Sequence, residues 1–147
     1  MLKHYHFGFN PWGLVLFLVT MIPTIVWLVV PAPNDILRAE SATPTVDAIG
    51  FVLQVLFVAM ICLVVRKERY RNSILIVATI ISVTLYFVGW ILYYLEMTSP
   101  AVILLLSLPP CLAFIFYAGA CRNLLALILS IGFTVCHMIY ASVNFIL

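Results

Sequence analysis

Long apolar runs alternate with short polar stretches along the chain, and the runs predict five helices of membrane-spanning length, at about 11–30, 46–65, 74–96, 101–117 and 124–147. A hydrocarbon core of about 30 Å is crossed by about 20 helical residues rising 1.5 Å each. The pattern therefore predicts an all-α integral membrane bundle of five transmembrane helices in a single domain, 1–147. The third run is not uniformly apolar. Thr79, Ser82, Tyr86, Gly89, Tyr93 and Glu96 recur at steps of three and four and fall on one side of a helix. Such a stripe is useless against lipid and useful against other helices or a wet cavity. Ser130, Thr134, His137, Ala141 and Asn144 form a similar seam on the fifth run.

The polar stretches set the joints. Met1–Asn10 is a short lead in which His4 and His6 have the spacing of a strand, and Pro11 can stand in the first turn of a helix. Pro23 is expected to kink the first span, with neighbours or the Thr20 and Thr24 hydroxyls covering the freed carbonyl. The length of this run and the residues around Val30-Pro31-Ala32 argue for a retained span over a cleaved leader. The loop 31–45 carries three prolines, which stop helices, while Ile36 and Leu37 suggest a short surface helix. Asn72-Ser73 offers a cap for the third span. Met97–Pro100 is short enough to turn the fourth span back antiparallel. Pro109-Pro110 should bend or break that fourth span.

Composition settles the solvent. The chain has 147 residues, 66% hydrophobic and 8% charged, with a mean hydropathy of +1.25, whereas soluble domains carry about 25% charged residues. A chain this short cannot hide so much apolar surface from water, so its principal partner is the lipid bilayer. The net charge of +2 is concentrated in one short loop and gives no footprint for nucleic acid. That loop, 66–72, places Arg66, Lys67, Arg69 and Arg71 at a membrane surface, where they hold topology and can touch anionic headgroups. With the N-terminus cytoplasmic and the C-terminus outside, Lys3, Arg66, Lys67, Arg69, Arg71 and Arg122 are all inside and only Arg38 is outside. The expected location is the plasma membrane.

Depth then brings three polar residues level. Gln54, Tyr86 and His137 each lie about ten residues, roughly 10–15 Å, below the outer surface. Trp90, Tyr93, Tyr140, Asn144 and Glu96 lie nearer that surface, as do Trp27 and Asp47. This set (Gln54, Tyr86, Trp90, Tyr93, His137, Tyr140, Asn144, Glu96) is the candidate ligand-binding site, with a floor near Pro109-Pro110. The plainer alternative is that the aromatics form an interfacial belt, the small residues pack helices, and His137 bonds Tyr86 or Gln54 in a structural cluster. The cysteines Cys62, Cys111, Cys121 and Cys136 lie in or beside spans with no CxxC pair and read as apolar fillers. No paired-carboxylate site, HExxH, Gly-rich phosphate loop or Ser/His/Asp set is present, and neither a metal nor a cofactor is expected.

Three function classes remain open at this point. The first is a non-enzymatic membrane protein with an outward-facing pocket for a small or lipid-like ligand. The second is a structural or regulatory subunit packed against a partner membrane protein. The third is a lipid-modifying enzyme using His137 and Glu96. HYHFGFNPWG and VVPAPNDILRAES resemble the opening of small multi-pass membrane proteins of Gram-positive bacteria. That resemblance carries no activity and no residue role. In size and span count alone the chain is similar to the tryptophan-rich sensory protein family. Its three tryptophans do not form that family's Trp/Asn-rich signatures, so nothing is carried over.

Overall fold

The computed structural model describes residues 5–66 and 72–147. Its elements run β1 (Tyr5–Phe7), α1 (Pro11–Val29), a 3-10 turn (Ile36–Arg38), α2 (Pro44–Leu63), β2 (Val64–Arg66), α3 (Ser73–Tyr94), α4 (Pro100–Ala120), α5 (Leu124–Ala141) and a closing π turn (Ser142–Ile146). All five long helices are long and apolar enough to cross a membrane. Lys3 and His4, and Lys67, Arg69 and Arg71 of the basic loop, lie outside the described residues. Arg66 closes β2.

Local chemistry explains where the helices start. Pro11, Pro44 and Pro100 each open a helix, where a missing N–H costs nothing. Asn10, Asn72 and Asn123 cap α1, α3 and α5 by accepting from the amides of Gly13, Ile74 and Ala126. The ends of α3 and α4 are alike. Met97 N–H donates to the Leu92 carbonyl and Glu96 N–H to that of Tyr93, with Glu96 at φ 66°. Asn123 N–H donates to the Ala118 carbonyl and Arg122 N–H to that of Gly119, with Arg122 at φ 50°. Both are Schellman closures made without the usual glycine.

Four helix C-terminal ends differ from expectation by two residues or more, and α2 begins two residues early, at Pro44. The second span ends at Leu63 instead of Val65, because Val64–Arg66 leaves the helix and pairs antiparallel with β1, Tyr5 opposite Arg66. The third ends at Tyr94, and Glu96 lies in the turn beyond it. The fourth runs on to Ala120, three residues past Tyr117. The fifth finishes in a π turn from Ser142. Pro109-Pro110 does not break α4, which is helical throughout. The carbonyl that Pro109 leaves without its helical donor is that of Leu105. α3 comes closest to α4 at this residue: a Cβ on Gly89 would lie 3.0 Å from the Leu105 carbonyl carbon and 3.2 Å from its oxygen. Only glycine allows that approach. In α1, Pro23 is likewise inside a continuous helix. The Thr20 hydroxyl donates to the carbonyls of Leu16 and Phe17, and the Thr24 hydroxyl pairs with Tyr86, so neither covers the carbonyl of Val19 that Pro23 frees.

α3 packs along α4, α4 along α5, and α5 along α2, while α1 makes slighter contacts with α2, α3 and α4 and closes the bundle across them. α4 is the most buried span. At the hairpin end, Leu16, Phe57, Ile61, Ala113, Phe114, Tyr117, Ala118 and Ala126 form a dry core. At the opposite end, which carries the loop 31–43, Tyr86, Trp90, Tyr93, Val102, Ile103, Leu106 and Ala141 form a second one. The α3 stripe is what these cores bury: Thr79, Ser82, Tyr86, Gly89, Trp90 and Tyr93 are the buried residues of that helix.

Candidate functional site

α1 packs closely at two places, and Leu16, Thr20 and Pro23 between them are buried as well. Near the hairpin end Gly13 sits so close to Ile61 that a Cβ would collide with that side chain. Asn10 Nδ2 donates to the Ile61 carbonyl there. Towards the loop end Thr24 meets the Tyr86 hydroxyl at 3.1 Å, and Trp27 packs on Trp90 with ring centroids 6.2 Å apart. Between these contacts the five helices enclose a cavity of about 790 Å³. α1 contributes Thr20, Met21 and Thr24. α2 adds Gln54, Val55 and Val58, and α3 Tyr86 and Trp90. From α4 come Ser107, Pro110 and Cys111, and from α5 Phe133, His137 and Tyr140. Pro110 is thus part of the wall, as the position of the double proline suggested. Phe51 and Val55 line the cavity and are also 67% and 52% exposed, so the wall is incomplete between α1 and α2. The size suits a drug-sized or single-chain ligand, and the lining is mostly apolar with a few polar groups.

A folded loop covers one end. Leu37 closes the cavity there. Asp35 holds the loop in place by accepting from Trp27 Nε1, the Tyr93 hydroxyl and Arg38 Nε, each at 2.8 Å. Arg38 also donates to the Trp27 carbonyl and lies over the Trp27 ring, 5.0 Å from its centroid. The Leu37 amide donates to the Tyr93 hydroxyl, and Tyr94 to the Val30 carbonyl. Burial by itself would raise the Asp35 pKa. The hydrogen bonds from Trp27, Tyr93 and Arg38, with the guanidinium charge, outweigh it and hold the carboxyl below its ordinary range.

The eight candidate residues divide by role. Gln54, Tyr86, Trp90, His137 and Tyr140 line the cavity together. Tyr93, Asn144 and Glu96 are absent from its wall. Tyr93 is fully buried and holds Asp35. Asn144 accepts from the Ala42 amide at 2.6 Å and donates to Thr43 Oγ1, so it ties the loop to the end of α5. Glu96 is exposed and accepts from Asn34 Nδ2 at 3.3 Å. His137 stacks on Phe133 and Tyr140 along its own helix, with centroids 5.2 and 6.2 Å away. Neither the His137 imidazole nor the Gln54 amide hydrogen-bonds to a described residue, although both meet the cavity. Trp90 Nε1 is buried without a partner in hydrogen-bonding geometry, and the Tyr86 hydroxyl is the polar group it faces.

Asp35 and Arg38 went unnoticed in the sequence because they sit in a polar loop that looks solvated. Their i, i+3 spacing was the available signal, and in the structure it is the ion pair. A smaller cavity of about 250 Å³ adjoins the first between α2 and α5, with Gln54, His137 and Tyr140 on the shared wall and Asp47 beyond them. Among the described residues no three His, Cys, Asp or Glu side chains converge as a metal site would require. No family model matches the chain, and no significantly similar curated protein or solved structure was found.

Proposed function

We propose that this is a non-enzymatic, multi-pass plasma-membrane protein that holds a small or lipid-like amphiphile in a chamber between its helices. The N-terminus is cytoplasmic and the C-terminus outside, as the six-to-one division of basic residues requires. The 31–43 loop then folds over the outward end of the chamber, and the gap between α1 and α2 opens sideways in the outer half of the bilayer. The observation that carries this reading is the 790 Å³ cavity, into which Gln54 and His137 are presented without hydrogen-bond partners among the described residues. Polar side chains in a span are costly and are retained where they meet one another, water or a ligand.

Filling the cavity tests the reading. Ala59, on its wall, is replaced by Trp, and the protein is purified from native membranes in mild detergent. Native mass spectrometry should show a bound small amphiphile on the wild type and a substoichiometric or absent one on Ala59→Trp. A wild type that carries no adduct and binds no added amphiphile would refute a ligand chamber.

A further inference from the structure

The side cavity between α2 and α5 has a chemistry of its own. Its polar contributors are Asp47, Gln54, His137 and Tyr140, and Phe51 and Phe133 supply apolar ring surface. Asp47 stands in the first turn of α2, where a negative charge complements the helix dipole. One of its oxygens accepts from Thr43 Oγ1 at 3.1 Å, and it makes no ion pair with a described residue. Among the described residues no Lys or Arg lines either cavity. Arg38, the nearest loop cation by sequence, is already committed to Asp35. The two cavities share Gln54, His137, Tyr140 and the two phenylalanines, so a ligand can place its tail in the large apolar chamber and its head beside Asp47. From Asp47 to Gln54 is about two helical turns, roughly 10 Å along the axis.

An uncompensated carboxylate bordered by aromatic rings is the environment that attracts organic cations, through charge and through the negative faces of the rings. It repels phosphate and carboxylate heads. On the chamber reading given above, we infer that the ligand is a cationic amphiphile, with an amine or quaternary ammonium head at Asp47 and an apolar tail in the main cavity. This makes the head site selective for charge, where the main chamber selects only for size and greasiness.

Three probes with one tail separate these levels: octyltrimethylammonium, octanol and octyl sulfate. Each is titrated calorimetrically into the full chain in phosphatidylcholine nanodiscs, with empty nanodiscs as the blank. The ammonium should bind about tenfold tighter than the alcohol, and the sulfate weakest. Asp47→Asn, which keeps an acceptor for Thr43, should bring the ammonium down to the alcohol and leave the alcohol unchanged. Gln54→Glu adds a second carboxylate to the shared wall and should strengthen ammonium binding, a gain that a folding defect cannot imitate. Equal binding of all three probes, preference for the sulfate, or an ammonium preference that survives Asp47→Asn would overturn the cationic head while leaving the chamber intact. If none of the three binds, the chamber reading fails with it.

Discussion

The two halves of the bundle use polar residues in opposite ways. At the hairpin end the side chains of Asn10, Asn123 and Tyr5 serve the backbone. Asn123 Nδ2 donates to the carbonyls of Met60 and Val64 while its oxygen caps α5. Asn10 does the same between Ile61 and Gly13, and the Tyr117 hydroxyl donates to it. The Tyr5 hydroxyl donates to the Arg122 carbonyl and accepts from the Leu124 amide. At the loop end the cap is equally well bonded around Asp35, but the chamber beneath it presents Gln54 and His137 without hydrogen-bond partners among the described residues. A polar group that ties off helix ends is structural, because loose backbone groups cannot be left in lipid. A polar group that faces a cavity has no such use for the fold. On the proposed reading, the chamber half serves a ligand and the hairpin half the stability of the bundle.

If so, the largest loss of stability should come from the hairpin end. Asn123 is only 4% exposed, and Asn123→Ala removes a helix cap and strips a donor from the carbonyls of Met60 and Val64. A cost of roughly 2–4 kcal/mol is expected, read as a lowered midpoint of unfolding in detergent, with amphiphile binding per folded molecule unchanged. A loss below about 1 kcal/mol would mean that the hairpin end is not the structural half.

The cap should respond to acid. Asp35 titrates lower in the folded chain than an ordinary carboxyl, so the unfolded chain binds the proton more readily. Its contribution is therefore complete above the unfolded value, about 3.9, and disappears as pH falls through the lower folded value. Asp35→Asn should cost about 1–2 kcal/mol at pH 7, less than three charge-assisted bonds would suggest because Arg38 is 44% exposed and screened. The same variant should flatten the decline in stability below about pH 4. An acid decline identical in both proteins would place it on other carboxylates.

The sequence made the hairpin end harder to read than the chamber. The α3 stripe was visible because helical spacing of polar and small residues survives in any context, and its buried face contains Thr79, Ser82, Tyr86, Gly89 and Tyr93. Counting residues from each span end put Gln54, Tyr86 and His137 level, and all three line the one cavity, from three different helices. β1 and β2 escaped notice because three-residue strands carry no alternation to detect, and Val64-Val65 reads equally well as the end of an apolar helix. Pro109-Pro110 gives no break: α4 is helical through both prolines, and Gly89 of α3 lies against the Leu105 carbonyl that Pro109 leaves without its helical donor. Asn144 and Glu96 were assigned to a ligand on helical spacing and depth. Their partners, Ala42, Thr43 and Asn34, lie in a loop whose path no periodicity describes.

The smallest effect should come from a residue of the chamber wall, His137. His137 lies mid-span, stacked between Phe133 and Tyr140, and it meets both cavities. Were its imidazole paired with Tyr86 or Gln54, His137→Leu would orphan a buried group at a cost of about 1–3 kcal/mol. The Tyr86 hydroxyl is instead engaged with Thr24, and Gln54 makes no bond to a described residue that the substitution could break. Leucine also preserves apolar contact with Phe133. The change in unfolding free energy should therefore be less than about 1 kcal/mol in either direction. Binding should not be spared in the same way, because the polar part of the wall shared by the two cavities loses one of its three members. Near-wild-type unfolding together with weakened octyltrimethylammonium binding would set His137 apart from Asn123 in kind. Strong destabilisation would put His137 in a bonded cluster, and the division of the bundle into a structural half and a binding half would have to be given up.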